Sequence, residues 1–165
     1  MITTRIKAAA FLTCGNKVLL LKRGLHKKLA PGLWAGIGGH MELDEITDPR
    51  AFNLMETCLR EIHEETGINR ADIRGLKLRY IATRRDGHEI FHHYKFIGEL
   101  DNEVPLPHCN EGELHWVERD AALTLPMGIT VRVMYRHWMQ NPHEDKIFMA
   151  VIDGSEEEAA LVALA

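Results

Sequence analysis

Apolar residues alternate with polar ones, or run together over short stretches, in several separate parts of this chain. These patterns predict β-strands at residues 6–13, 17–22, 89–100, 114–118 and 147–152. A further strand is predicted where Leu76, Leu78, Tyr80 and Ala82 alternate with polar residues. Cys14-Gly15-Asn16 predicts a tight turn between the first two strands, and Asp86-Gly87 predicts a hairpin turn. We therefore expect a β-hairpin in the middle of the chain.

A different period, with apolar residues three and four positions apart, predicts a long amphipathic helix before that hairpin. The positions with this spacing are Phe52, Met55, Leu59, Ile62 and Thr66. Asp48 is a good N-cap, Pro49 suits the first helical position, and Gly67 can close the C-terminus in a left-handed conformation. The pattern therefore predicts a helix over residues 49–66.

Residues 129–140 show a second helical pattern, and Ser155 with Glu158 forms a capping box for a short tail helix within residues 153–165. Strands, one long helix, more strands and a final helix are typical of the α/β class, with a mixed β-sheet between helices in an α/β/α sandwich. At 165 residues and 45% hydrophobic composition, the chain has material for one compact domain spanning residues 1–165.

The long helix ends in three carboxylates, Glu61, Glu64 and Glu65, which share one side of the helix roughly opposite its apolar stripe. Their mutual repulsion costs a few tenths of a kcal/mol per pair, and their place at the negative end of the helix dipole costs about 0.3–1 kcal/mol more. A bound cation would remove both penalties. A solvated acidic surface and a metal site both account for this pattern.

A glycine-rich segment, Gly36-Ile37-Gly38-Gly39, precedes the helix and is expected to form a turn at which backbone can approach a ligand closely. It is not a dinucleotide-binding fingerprint, because Met41 stands where that pattern needs glycine. No Gly-Lys-Ser/Thr of the Walker type follows it either.

These two segments together resemble the Nudix box of the MutT-like diphosphate hydrolases. That pattern is Gly, five residues, Glu, seven residues, then Arg-Glu-apolar-x-Glu-Glu-x-Gly-apolar. Here Gly39 and Glu45 match its first half, and the run from Arg60 to Ile68 matches every defined position of its second half. Fourteen residues instead of seven separate Glu45 from Arg60, which places a seven-residue insertion at about residues 46–52.

The resemblance implies a Nudix-type α/β/α sandwich and a hydrolase of phosphoric anhydride bonds that depends on Mg²⁺, with Mn²⁺ as a possible substitute. Carboxylates suit Mg²⁺ because it is a hard ion that prefers oxygen ligands. The implied metal ligands are Glu61, Glu64 and Glu65, with the Gly39 carbonyl as an additional one. Glu64 or Glu65 is the implied general base.

The resemblance also assigns residues around the metal site. Arg60 and Glu45 are expected to form an orienting ion pair, and Glu111 is a candidate for a further metal ligand or the base, with Glu113 as its alternative. Arg23 is expected to contact the substrate. Trp34 and the strand residues His92, His93, Tyr94 and Phe96 could pack in the core or contact a base.

The substrate implied by the resemblance is a nucleotide, most simply a nucleoside triphosphate cleaved to the monophosphate and pyrophosphate. Oxidised purine nucleotides such as 8-oxo-dGTP are a narrower expectation. Cleavage of ADP-ribose or another nucleotide sugar is an alternative within enzymes. A non-catalytic module of the same fold that senses a nucleotide is an alternative of another class.

Composition limits the partners and the compartment. A net charge of −4 and a pI near 6.2 argue against binding to a nucleic-acid polymer through a broad basic surface. Three widely spaced cysteines indicate neither a disulfide framework nor a zinc knuckle, so we expect a reducing cytoplasm. The apolar run Ala8–Leu12 is too short for an export signal, and no run approaches a membrane span. The chain is expected to be a monomer or a homodimer.

Overall fold

The computed structural model describes residues 1–42, 45, 53–152 and 161–164. Within these residues one mixed sheet of nine strands is sandwiched between two α-helices, as the sequence predicted. The strands are β1 (Thr3–Cys14), β2 (Lys17–Arg23), β3 (Trp34–Ala35), β4 (Ile37–His40), β5 (Arg74–Asp86), β6 (Glu89–Glu99), β7 (Gly112–Glu118), β8 (Phe148–Ile152) and β9 (Val162–Ala163). The helices are α1 (Leu54–Thr66) and α2 (Ile129–Gln140), with short 3₁₀ turns at Arg70–Asp72 and Ala121–Thr124.

The sheet divides at β1. Its order is β3-β2-β1-β6-β5-β8-β9, with β4 also paired to β1 and β7 paired to β2. The end of β1 pairs with β2 (Leu12 opposite Leu19), whereas its middle pairs with β4 (Ala8 opposite Gly39). β6 runs parallel to β1, and β8 runs parallel to β5, while the other pairs are antiparallel. Because β6 pairs with the other edge of β1, β2 and β4 both lie along the edge opposite to it.

Each face of the sheet is covered by one helix. α1 packs on one face through Cys58 and Ile62, against apolar side chains of β1 and β2. α2 packs on the other face through Met134, Tyr135 and Trp138, which contact a second apolar cluster. The odd and even positions of β1 and β2 therefore belong to different cores, as the period of two in a strand requires. In β5 a register shift between Leu78 and Tyr80 moves the even positions from one core to the other.

Helix α1 begins later than predicted. The sequence placed its start at residue 49, but the helix begins at Leu54, because the Asn53 side chain accepts a hydrogen bond from the Glu56 amide and caps it there. Asp48 and Pro49 lie outside the described residues. The predicted end is correct, since Gly67 has φ 74° and closes the helix in the left-handed region.

Two further expectations differ from the structure. The glycine-rich segment was expected to be a turn, yet Ile37–His40 forms β4, because Gly38 and Gly39 pair in register with Ala9 and Ala8 of β1. Most of the tail segment expected to be helical lies outside the described residues, and its described part contains the two-residue strand β9.

Candidate functional site

The C-terminal end of α1 lies against β4, and glycine makes this contact possible. The Gly38 amide donates a hydrogen bond of 2.9 Å to Oε2 of Glu65. A Cβ added at Gly39 would lie 2.5 Å from the Glu61 carboxylate. Both carboxylates therefore sit directly on the backbone of β4, and a side chain at Gly39 would displace Glu61.

Arg60 joins the acidic groups at this end of α1. Its Nε donates to Oε1 of Glu45 at 2.8 Å, so the predicted ion pair between these residues is present. Its Nη1 lies 3.0 Å from Glu61 and 3.1 Å from Glu64, and its Nη2 donates to the His40 carbonyl. One guanidinium thus bridges three carboxylates and the end of β4.

Burial makes two of the α1 carboxylates difficult to ionise. Loss of solvent raises the pKa of Glu65 to about 8, and the neighbouring charges of Glu61 and Glu111 add to the rise, although the Gly38 amide opposes it. Burial also raises the pKa of Glu61. By contrast, the hydrogen bond from Arg60 holds the pKa of Glu45 below its usual value. Glu65 is therefore the carboxyl of the site whose ionised form the protein compensates least.

The donor set of this site is made of oxygen atoms and fits a hard divalent cation. Glu61 and Glu65 are largely buried beside β4, whereas the Glu64 side chain is 56% exposed. Within the described ranges, no three acidic, histidine or cysteine side chains already converge as a metal cage. Glu61 and Glu64 share Arg60 instead, so binding a cation between them requires their side chains to turn away from the guanidinium.

A cavity of about 330 Å³ opens on the other side of β4. Gly38 and Gly39 form part of its wall, so the same two residues contact the acidic end of α1 and border the cavity. The cationic residues of its lining are Lys7, Arg23, Arg84 and Lys95, and its aromatic residues are Trp34, Phe91, His93 and Tyr94. Cationic and aromatic side chains beside a carboxylate cluster suit a ligand with phosphates and a flat ring.

The predicted substrate residue Arg23 lies between this cavity and a more open cleft of about 700 Å³. Its Nη1 is 3.9 Å from the Glu111 carboxylate, which also accepts a hydrogen bond from Lys27. Glu113, the alternative to Glu111, lines the open cleft. Lys27, which the sequence presents as an ordinary loop residue, thus compensates the charge of Glu111.

The remaining candidates divide between the two faces of β6. His93 lines the cavity, whereas Phe96 belongs to the core beneath α1. His92 forms a hydrogen bond of 3.0 Å with Thr83. Trp34 borders the cavity and packs at a centroid distance of 5.1 Å from the His115 ring.

Lys7, Arg84 and Lys95 were missed by sequence reasoning, although they supply most of the charge of the cavity. The available signal was a lysine among aromatic and apolar neighbours in Tyr94-Lys95-Phe96-Ile97. Lys95 is only 5% exposed and has no ion-pair partner among the residues that the structure describes, which is rare for a lysine and typical of a functional position.

His88-Glu89-Ile90-Phe91-His92 has the spacing of a zinc motif, but the structure gives it no such geometry. That motif needs a helix to place both histidines on one face. Here residues 89–92 belong to β6, and Glu89 pairs with Arg5.

None of the helices described is long and apolar enough to cross a membrane. Cys14, Cys58 and Cys109 are all free thiols.

A family model described as the NUDIX domain matches residues 3–138 of the chain. The "m7GpppN-mRNA hydrolase NUDT17" of Danio rerio is 37% identical over 62 residues, which are 38% of this chain and 18% of that protein. This chain therefore matches less than one fifth of that relative's length.

Solved structures share the fold at low identity. The crystal structure of a MutT protein from Bacillus halodurans has a TM-score of 0.68 and 23% identity, covering 96% of this chain and 97% of that one. The NUDIX domain of Shewanella oneidensis NrtR, solved with ADP ribose, has a TM-score of 0.63 and 18% identity, covering 86% and 89%.

Proposed function

The chain belongs to the Nudix domain family, and we propose that it is a hydrolase of phosphoric anhydride bonds that cleaves a nucleoside triphosphate to the monophosphate and pyrophosphate with Mg²⁺. The observation that carries this proposal is that groups of opposite charge lie on the two sides of β4. The acidic end of α1 contacts Gly38 and Gly39 from one side, and the cationic, aromatic cavity borders them from the other.

Glu61, Glu64 and Glu65 would hold the metal, with the Gly39 carbonyl as an additional oxygen. A bound divalent cation would supply neutralisation of phosphate oxygens and a more acidic water. The raised pKa of Glu65 supports this assignment, because a nearby dication would favour the ionised form that burial disfavours.

The remaining residues position the reactants. Glu64 or Glu65 would accept the proton of the attacking water. Arg60, fixed by Glu45, would hold α1 against β4, and Arg23 would contact the substrate phosphates at the cavity entrance. Glu111 would serve as a further ligand or base only after leaving Lys27, so its contribution would be smaller.

Two narrower expectations belong to the same proposal. Oxidised purine nucleotides such as 8-oxo-dGTP are its narrowest form, and ADP-ribose or a nucleotide sugar is the competing substrate class. One structural neighbour was solved with ADP ribose, and a relative with partial similarity is named as an mRNA cap hydrolase. ADP-ribose and capped RNA are therefore both worth testing. A cytoplasmic location and a monomeric or homodimeric state stay predictions.

Purified protein should be assayed for released pyrophosphate, phosphate and monophosphate with Mg²⁺, Mn²⁺ or neither. The panel should hold the natural nucleoside triphosphates, 8-oxo-dGTP, ADP-ribose and a capped RNA. We expect triphosphates to give the monophosphate and pyrophosphate only when metal is present. Turnover confined to ADP-ribose or capped RNA would overturn the triphosphate assignment, and tight binding without turnover of any compound would indicate a sensing module.

The site assignment is tested by Glu64→Gln and Glu65→Gln. Each should lower kcat by about 10²–10⁴-fold, because one oxygen donor of the metal or the base is lost. Glu99→Gln is the matched control, since Glu99 is exposed and pairs with Arg74. Circular dichroism should show all three variants folded. Full activity in both α1 variants would exclude these residues from the site.

A further inference from the structure

Two lysines and a histidine lie side by side on the sheet face that borders the cavity. In the parallel register of β1 and β6, Lys7 is opposite His93 and Ala9 is opposite Lys95. On the next strand Ala82 is opposite His93. Tyr80 of that strand is opposite Lys95 and is buried, so Lys95 has a packed neighbour on the β5 side. On the β1 side its neighbour is the small Ala9, which lines the cavity and leaves space beside the lysine.

Lys95 lies in the wall of this space and is almost completely buried. Its Nζ is 4.7 Å from the centroid of the Phe11 ring and would be 3.0 Å from a Cβ added at Gly36. Among the described residues, its ammonium has neither a hydrogen-bond acceptor nor an ion-pair partner. Burial lowers the pKa of Lys95 to about 8, so the group is still largely protonated at neutral pH.

The other cationic groups of the cavity are also donors. Lys7 lies 5.7 Å from the Phe91 ring centroid and, among the described residues, has no hydrogen-bond or ion-pair partner. Asp86 is the one carboxylate in the described lining, and Arg84 already binds it at 3.0 Å. A ligand that enters the cavity therefore meets hydrogen-bond donors and positive charge at its inner wall.

The rest of the lining is apolar and suits a flat ring. Phe91, Trp34, Leu33 and Val131 supply apolar or aromatic surface. About 330 Å³ is at the lower end of the range for small-molecule pockets, enough for a nucleobase with part of its sugar. A base placed here would turn one polar edge toward Lys95.

We infer that the cavity selects nucleotides whose base presents a carbonyl oxygen to Lys95, namely 6-oxopurines and 4-oxopyrimidines, over their 6-amino and 4-amino counterparts. An ammonium offers three donors and no acceptor, so it can bind a carbonyl oxygen but not an amino group. An amino group of the base in the same place is also a donor, so it and the Lys95 ammonium would both stay unpaired, and their partial positive charges would repel each other. The inference rests on the proposed triphosphate hydrolysis and makes Lys95 a specificity-determining residue.

Two substrate pairs exchange the carbonyl group for an amino group, together with the proton of the adjacent ring nitrogen. Inosine and adenosine triphosphates differ at position 6, and uridine and cytidine triphosphates differ at position 4. We expect kcat/KM of the oxo compound to exceed that of its amino counterpart about tenfold or more in the better-bound pair. Equal values in both pairs, or an amino preference, would overturn the inference while leaving the proposed function intact. Failure to hydrolyse any triphosphate would instead overturn the proposed function.

Lys95→Met, which keeps the length and removes the donor, should reduce the oxo-to-amino ratio toward one. Lys95→Arg should retain part of the preference, because it keeps a donor, and Lys146→Met is the control at an exposed lysine. Thermal unfolding and circular dichroism should establish that each variant is folded. If Lys95→Met is folded and keeps the full ratio, Lys95 does not read the base. If it does not fold, the wild-type ratios and Lys95→Arg still decide the question.

Discussion

The two sides of β4 handle concentrated charge differently. On the α1 side three glutamates lie close together, and Arg60, reaching also to Glu45, bridges two of them. On the cavity side Lys7 and Lys95 have no such bridge among the described residues, and burial lowers the pKa of each to about 8. The acidic side is therefore partly neutralised by the protein, whereas the cationic side depends on oxygen atoms of a ligand.

This difference bears on what each side can recognise. On the α1 side Arg60 holds Glu61 and Glu64 together, and both carboxylates must turn away from the guanidinium to share a cation, whichever substrate is bound. A row of unbridged cations gains most from whichever ligand places an acceptor against it, so it discriminates between ligands. We therefore expect changes on the α1 side to affect all substrates alike, and changes on the cavity side to alter the choice among them.

Removing the bridge should have the largest effect. Arg60→Met should destabilise the protein by about 3 kcal/mol, near the lower end of the cost of breaking a buried ion pair, because the guanidinium is 25% exposed. It should also lower kcat for every substrate, since Glu61 and Glu64 lose their shared partner. Urea unfolding and steady-state kinetics measure both. A loss below 0.5 kcal/mol, as expected for ordinary surface pairs such as Arg70 with Glu56, would contradict the bridging role.

Glu65→Gln should have the next largest effect, and in the opposite direction. Without metal it should stabilise the protein by about 2 kcal/mol at pH 8, because the amide avoids a buried charge and its oxygen can still accept from Gly38. The Glu65 pKa is about 8 in the folded protein against an ordinary 4.5, so wild type takes up a proton on folding between these values. The advantage of the variant should therefore grow as pH rises from 4.5 to 8. Melting temperatures in EDTA measure it, and adding Mg²⁺ should stabilise wild type alone.

Lys95→Met should stabilise the ligand-free protein by a smaller amount, about 1 kcal/mol at neutral pH. The gain from removing a buried charge is partly offset by the lost contact with the Phe11 ring. The Lys95 pKa falls from 10.5 to about 8 in the folded protein, so wild type releases a proton on folding between these values. The advantage should thus be complete below pH 8 and disappear by pH 10.5, the reverse of the Glu65 profile. Parallel pH profiles for the two variants would remove the contrast between the two sides.

The sequence predicts the α1 side well because its information is local. Arg60, Glu61, Glu64 and Glu65 lie within six consecutive residues, and the period of the helix places them together. The end of α1 at Gly67 and the bounds of α2 follow from local signals of the same kind. The start of α1 was wrong because Asp48 and Asn53 are both acceptable caps, and local preference does not choose between them.

The cavity side could not be predicted because strands distant in sequence form it. Lys7 and His93 are neighbours only through the pairing of β1 with β6, and Arg84 joins them through β5. Their alternation places them on one face of each strand, but it does not indicate which face is open. β4 was missed for a related reason, since glycines favour turns until a partner strand pairs with them.

The glycines of β4 also keep the layer between the acidic end of α1 and the cationic cavity thin. Because Gly38 and Gly39 carry no side chains, only one layer of backbone separates the acidic residues of α1 from the cationic cavity. In the proposed function, the ring of a nucleotide would bind in the cavity on one side of this layer, and its phosphate groups would meet the metal held by the acidic residues on the other. Alanine at Gly39 would displace the Glu61 carboxylate, and alanine at Gly38 would clash with the β1 backbone at Ala8 and Ala9.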